Sequence, residues 1–258
     1  MTKPKQRKAF RFAVSLAGLV APLALAQIPT VTPAEPVPAS PGSEATVTHL
    51  SGTLTVKRAD GSTRFLSVKS GINEGDTLVT ARGTYVRMKF SDGGETVLRP
   101  DTQMKVEAYK FDDKKPEGDN VLFSLIKGGM RSVTGLVGKR NSDRVLVGAP
   151  SATIGIRGTH FGMLVCQNDC GNIPTPRGGP PPNGLHVDVL DGAVTVRNNA
   201  GTQTLNAGQF GFVANANTAP VQVPAQQGIQ VTMPVAISRN AGTGGAVGKG
   251  QQTECVVP

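Results

Sequence analysis

The three cysteines carry the most reactive side chains of this 258-residue chain, and their spacing limits what they can do. Cys166 and Cys170 are separated by three residues, whereas Cys255 lies near the end of the sequence. A structural zinc site would need a second cysteine pair and favours Cys-x2-Cys spacing, so metal and redox roles are not expected. We predict a Cys166–Cys170 disulfide, with a bridge from Cys255 to one of the two as the alternative.

A proline-rich loop begins directly after Cys166. Residues 167–183 separate two apolar runs, 161–165 and 185–190, which are typical of strands. Long ordered loops are functional more often than short hairpin turns are, so we predict that this loop contacts a partner. A tolerated surface insertion, held by the disulfide, is the alternative. The candidate contact residues are Asn172, Pro174, Arg177, Pro181 and Asn183.

A second feature is an arginine enclosed by glycines in the run Gly-Ile-Arg-Gly-Thr at residues 155–159. Glycines let a backbone turn sharply, and a guanidinium beside such a turn can bond carbonyl groups or a carboxylate within the fold. We therefore predict a structural turn, with ligand binding by the arginine as the alternative. The turn residues are Gly155, Arg157, Gly158 and Thr159.

The sequence offers no recognisable catalytic machinery. It has only three histidines, and it lacks paired carboxylates set in apolar runs. A Gly-x-Ser-x-Gly elbow, a phosphate-binding Walker loop and a dinucleotide fingerprint placed between a strand and a helix are also missing. We expect no catalytic residue, no cofactor and no metal site, and hence no enzyme.

Residues 1–26 have the pattern of a secretory signal peptide, with an uncleaved anchor as the alternative. Basic residues precede an apolar stretch, and Ala24-Leu25-Ala26 offers a small-x-small cleavage site. This segment holds five of the 27 basic residues and none of the 18 acidic ones, so the net charge of +9 falls to +4 without it. A weakly basic chain with two tyrosines and no tryptophan does not match a nucleic-acid binder. No later apolar run reaches the roughly 18 residues of a transmembrane helix.

The remainder of the chain reads as one all-β domain. Alternation of apolar and polar residues predicts half-buried strands, with Asp-Gly and Gly-Gly turns between them. The polar faces carry Tyr109, His186 and Asp188. The inward sets are Val86, Met88 and Phe90; Met104, Val106 and Ala108; and Leu185, Val187 and Val189. Only residues 120–127 compete as a helix. We predict a Pro-rich spacer at 27–45, the β domain at 46–217, and a Pro/Gly-rich tail at 218–258 with a possible edge strand at 228–237.

An internal echo bears on the architecture. Residues 52–61 and 192–201 share the spacing Gly, apolar, Thr, Val, basic, Gly. Two copies of one hairpin-like unit fit either coils of a β-solenoid or the halves of a β-sandwich. Periodicity alone leaves both open.

Several motifs resemble the FecR family, whose periplasmic β-rich modules are best known from ferric-citrate-type signalling. The resemblance covers about residues 52–212 and implies the solenoid-like, β-helix fold. The matching segments are the Gly-Asp-Thr-Leu-Val-Thr run at 75–80, the strand and Asp-Gly turn at 86–93, residues 125–131, the Gly-Ile-Arg-Gly-Thr run at 155–159, residues 189–196 and residues 205–209.

The resemblance and the leader together predict an exported, non-catalytic binding module that takes part in envelope sensing, signalling or scaffolding. It would be periplasmic or secreted, and its partner would be a periplasmic or outer-membrane protein. Family members that act as anti-sigma transducers carry a cytoplasmic domain and a membrane crossing before the module, so a direct cytoplasmic role is not expected here. The alternative is a glycan-associated protein or an accessory module of a polysaccharide-acting enzyme. The oligomeric state stays open.

Overall fold

The structure, a computed structural model, describes residues 42–234 and 237. The predicted signal peptide, nearly all of the Pro-rich spacer and Cys255 lie outside these residues. Short alternating runs separated by turn residues form fifteen strands in the described part of the chain. The strands are β1 (Ala45–Ser51), β2 (Leu54–Lys57), β3 (Thr63–Leu66), β4 (Gly71–Ile72), β5 (Thr77–Thr80), β6 (Tyr85–Phe90), β7 (Glu95–Leu98), β8 (Gln103–Lys110), β9 (Asn120–Val133), β10 (Val145–Ala149), β11 (Ala152–Cys166), β12 (Gly184–Asn198), β13 (Gly201–Asn206), β14 (Phe210–Val213) and β15 (Val221–Val223). One short helix, α1 (Leu136–Arg140), and two 3-10 turns complete the described elements.

Three long strands, β9, β11 and β12, organise the sheet because each of them bends. The bends lie at Gly128, Gly158 and Gly192, whose φ angles of 79°, 55° and 75° favour glycine. β9 changes both of its neighbours at its bend, whereas β11 and β12 pair with each other on both sides and each change one neighbour. The fifteen strands are therefore one hydrogen-bonded network that forms two layers.

The two layers have matching orders. The front layer runs β3, β2, β5, β8, the first half of β9, β10, the first half of β11, the second half of β12, and β13. The back layer runs β4, β1, β6, β7, the second half of β9, the second half of β11, the first half of β12, β14 and β15.

The layers pack face to face around one apolar core. Phe90 of β6, in the back layer, lies 5.3 Å from the Tyr109 ring and 5.0 Å from the Phe123 ring, centroid to centroid, and both partners belong to the front layer. Buried side chains from both layers form a single cluster that includes Leu54, Leu98 and Phe161. The main core thus fills the space between the layers.

The all-β prediction is confirmed, whereas the β-solenoid prediction is not. Of the fifteen strand pairings in residues 42–234, fourteen are antiparallel, and only β9 with β10 is parallel. Successive coils of a solenoid stack in parallel, so the observed pairing favours a sandwich-like arrangement. The two echo segments fall on β2 with its turn and on the second half of β12 with its turn, near opposite ends of the front layer.

Three local predictions differ from the structure. Residues 120–127 form the first half of β9, because this run pairs with strands on both sides. A register shift between Val106 and Ala108 reverses the alternation in β8, so that Tyr109 is buried although it was placed on the solvent face. The edge strand of the tail is β15, and residues 228–234 form no strand.

Candidate functional site

The predicted turn residues lie in β11 around its bend. Gly155 is within the straight first half of the strand, opposite Leu146 and Thr195, and Gly158 makes the bend. Thr159 is buried and fastens the bend, because its hydroxyl donates to the Ala193 carbonyl at 2.8 Å. This part of the predicted turn is a junction between the layers.

Arg157 differs from the expectation of an inward-facing guanidinium. Its side chain is exposed, and among residues 42–234 and 237 it has no hydrogen bond or ion pair. The reason is strand alternation: Ile154 and Ile156 point into the core, so Arg157 points out. Arg157 is therefore available to solvent.

The disulfide closes the start of the loop at residues 167–183. Cys166 and Cys170 are bonded, with their Cα atoms 5.5 Å apart, as the sequence predicted. Asn168 and Asn183 link the two ends of the loop through two hydrogen bonds of 2.8 Å. The Asn168 backbone N–H donates to the Asn183 side-chain oxygen, and the Asn183 side-chain amide donates to the Asn168 side-chain oxygen. Asn168 has φ 65°, a conformation that asparagine tolerates better than most residues. The base of the loop is thus fixed at both ends.

Most of the predicted contact residues in the loop point outward. Four of the five predicted contact residues, Asn172, Pro174, Arg177 and Asn183, are exposed, whereas Pro181 is buried. A ring nitrogen of His186 bonds the neighbouring Pro182 carbonyl at 2.8 Å, and the His186 ring packs on Phe212. Burial lowers the pKa of His186, and the bond to the Pro182 carbonyl opposes that shift. The bond from His186 therefore holds the returning end of the loop.

A cleft of about 320 Å³ opens beside the loop base. Its lining mixes apolar residues with amide and hydroxyl groups, and none of the lining residues is charged. The polar side chains that line it are Gln167, Asn168, Asn183, Asn215 and Ser151. Such a surface offers both hydrogen-bond donors and acceptors to a neutral polar group.

The structure reveals a second feature that the sequence did not predict: a strap, residues 228–234, crosses the outer face of the back layer. Ile229 and Val231 are buried, and they form a separate apolar cluster with Leu164 of β11 and the disulfide. Ile173 of the loop packs against the same cluster. Strap and loop therefore share one small apolar base.

Charged side chains clamp the strap backbone. Arg131 of β9 donates to the Val231 carbonyl at 2.8 Å and to the Asp188 carboxylate at 2.6 Å, and Asp188 accepts the Val231 N–H at 3.0 Å. Arg99 donates to the Thr232 carbonyl at 2.6 Å. Arg131 and Asp188 are nearly buried, with exposed side-chain fractions of 11% and 2%.

His160 lies beside this clamp. Burial is the main cause that lowers its pKa, and the charge of Arg131 adds to the effect, whereas Asp188 and Asp191 oppose it. Burial also lowers the pKa of the Arg99 guanidinium. The sequence signal for the strap was the alternation of apolar residues at 229, 231 and 233. It indicated an extended conformation but not the face of the sheet that the strap covers.

The family comparison identifies the central part of the chain. The model of the FecR protein family matches residues 76–195, which include the bent strands, the Gly-Ile-Arg-Gly-Thr run and the disulfide loop. This part of the chain is a FecR domain. The family prediction made from the motifs is thereby confirmed.

The solved structures that resemble this chain have low sequence identity to it. Two crystal structures of a candidate anti-sigma factor from Parabacteroides distasonis are 16% and 17% identical to it, with TM-scores of 0.41 and 0.42, and each comparison covers 57% of this chain. The chain spans 58% of the length of those two structures. A cell surface anchoring domain is 28% identical, with a TM-score of 0.24, over 24% of this chain and 83% of its own length.

No curated protein matches the chain. Within residues 42–234, no helix is long and apolar enough to cross a membrane.

Proposed function

We propose that this FecR domain protein is an exported, non-catalytic binding module that serves envelope sensing or signalling, and that it contacts a periplasmic or outer-membrane protein through the loop at residues 167–183. The observation that carries the proposal is the construction of the loop. Its base is fixed by the Cys166–Cys170 disulfide and by the paired Asn168 and Asn183 amides, while its tip is exposed.

A fixed base with an exposed tip suits protein recognition. Pro174 and Arg177 stand exposed between the two fixed ends. Proline restricts the free loop, so less conformational entropy is lost when a partner binds. Arginine forms strong, directional bonds to carboxylates and is frequent in protein interfaces. A partner with an exposed carboxylate fits this tip.

Export supports the same function. The first 26 residues have the pattern of a signal peptide, and disulfides persist in oxidising compartments such as the periplasm. The bonded Cys166 and Cys170 agree with that compartment. The family match over residues 76–195 supports a role in regulation rather than catalysis.

The cleft beside the loop gives the glycan alternative little support. Amide side chains there can bond sugar hydroxyls, but no aromatic ring lines the cleft on which a sugar could stack. We therefore treat the cleft as an extension of the protein-contact surface.

Site-specific photo-crosslinking in cells that naturally produce the protein tests this function. A crosslinking side chain at Arg177 or Asn172 is expected to give one discrete protein adduct, identified by mass spectrometry. The matched control is Thr202, an exposed residue of β13 in the front layer. Adducts at Thr202 and none at the two loop positions would contradict the assignment of the loop.

Export is tested separately. Intact-mass analysis of periplasmic material is expected to show a chain that begins at Gln27. A mass that retains residues 1–26 would contradict cleavage of the signal peptide.

A further inference from the structure

The strap is held in a way that differs from the strands beneath it. Residues 228–234 form no ladder with the sheet. The Val231 N–H instead bonds the Asp188 side chain, and the Val231 and Thr232 carbonyls bond Arg131 and Arg99. Side chains of the back layer thus bind the extended backbone of the strap. An apolar surface next to them contacts Ile229 and Val231, which are two residues apart.

The floor of this groove is built for close approach. Gly162 of β11 lies between Arg131 on β9 and Asp188 on β12. A Cβ atom at Gly162 would lie only 2.7 Å from the Val231 Cβ, and closer still to the Asp188 carboxylate. A side chain at 162 would force Asp188 or Val231 to shift, so the glycine leaves room for the strap side chain at this position.

The strap does not satisfy the groove completely. The Nη1 atom of Arg131 is buried and has no hydrogen-bond partner among the residues that the structure describes. A buried donor without an acceptor is costly, so a ligand that supplies an acceptor there would bind better than the strap. The apolar contribution is also small, because five buried residues of the described chain form the cluster that the strap shares with the disulfide.

We propose that the outer face of the back layer, with Arg99, Arg131, Asp188 and Gly162, is a peptide-binding groove for an extended segment that has apolar side chains two residues apart. The strap is its intramolecular occupant, and a protein partner that carries such a segment displaces it. This surface is separate from the tip of the loop, and it stands or falls independently of the loop proposal.

A labelled peptide of residues 226–237 is the probe, and the protein is the full chain with its disulfide intact. In the variant Ile229→Asp/Val231→Asp the strap is weakened and every groove residue is unchanged. This variant is expected to bind the peptide at least tenfold more tightly than the wild-type protein, because its groove is open. A peptide that carries Val231→Asp is the matched control and is expected not to bind.

Asp188→Asn, added to the strap variant, is expected to lower peptide affinity at least tenfold, because the amide cannot replace the charged acceptor of both Arg131 and the Val231 N–H. If the folded strap variant binds the peptide no better than the wild-type protein does, the proposal is overturned.

A measurement on the wild-type protein covers the case in which the strap variant does not fold. Hydrogen exchange is followed with and without excess peptide that carries Thr232→Ser, which gives its fragments a distinct mass. Faster exchange over residues 228–234 of the protein is expected in the presence of the peptide. Unchanged exchange at saturating peptide would contradict displacement.

Discussion

Two apolar regions of the molecule differ in size and in what holds them. Among the residues that the structure describes, the main core contains 34 buried residues between the layers, whereas the strap cluster contains five on the outer face of the back layer. Strand ladders surround the main core, while side-chain clamps from Arg131 and Asp188 hold the strap. Regions with few apolar contacts open at lower free energy than the core does. The strap and the loop above it are therefore the parts that can respond to a partner.

The largest expected effect is a difference in stability between a core variant and a strap variant. Phe161 lies in the main core and is 1% exposed. Phe161→Ala is expected to lower the free energy of unfolding by about 3–5 kcal/mol and to destabilise the whole domain. Ile229→Ala, in the strap cluster, should leave the main transition nearly unchanged, because only the strap loses contacts. Chemical denaturation of both variants provides the measurement, and equal losses of stability would contradict the difference between the regions.

The core pattern could be predicted from the sequence, with exceptions that have physical causes. Val86, Met88 and Phe90 are buried as their alternation indicated. Tyr109 was predicted on the polar face, but a bulge in β8 shifts the alternation by one residue and buries it. No residue type in that run indicates a bulge. The β-solenoid was favoured by the family resemblance, but strand pairing depends on contacts distant in sequence, which short motifs do not encode.

The site could be predicted only in part. The disulfide followed from the spacing of Cys166 and Cys170 together with the inferred export. His186 and Asp188 were assigned to the polar face of their strand, yet both are buried because the loop and the strap cover that face. Covering by a distant segment leaves no periodic signal in the covered strand. The Arg131 clamp could not be predicted for the same reason.

Reduction of the disulfide tests the base shared by loop and strap. A ring as small as the one between Cys166 and Cys170 contributes about 2 kcal/mol in the chain-entropy account. Reduction is expected to lower the stability of the loop and strap and to affect the main core less. Native-state hydrogen exchange of the oxidised and reduced protein, with Cys255→Ser in both to remove the third thiol, measures the effect in each region. If reduction leaves the protection of the strap amides unchanged, the strap does not depend on the disulfide, which would contradict a base shared with the loop.

Acidification provides a further comparison. Burial lowers the pKa of both His160 and His186 in the folded protein. The unfolded chain then takes up protons below pH of about 6.5, the ordinary histidine value, before the folded protein does, so stability is lost as the pH falls. His186→Gln, which keeps a donor for the Pro182 carbonyl, is expected to show a smaller drop in melting temperature between pH 7.5 and 5. An equal drop in the variant would contradict a contribution from His186.

Arg157→Ala has the smallest expected effect. The side chain is exposed and has no partner among the described residues, so the free energy of unfolding should change by less than about 0.5 kcal/mol. Thr159→Ala is the contrast, because it removes the side-chain bond to the Ala193 carbonyl at the bend and is expected to lower the stability more. Thermal melts of both variants compare the two losses of stability. A strongly destabilised Arg157→Ala would support the structural role that was predicted for Arg157 from the sequence.

Native-state hydrogen exchange of the full chain measures the opening of the strap and of the core in one experiment. We expect the Val231 amide, bonded to Asp188, to exchange at least about 100-fold faster than the amides of Met163 and Val187, through local opening that is insensitive to low urea. Equal protection of all three amides, with the same dependence on urea, would show that strap and core unfold together, and would contradict a releasable strap.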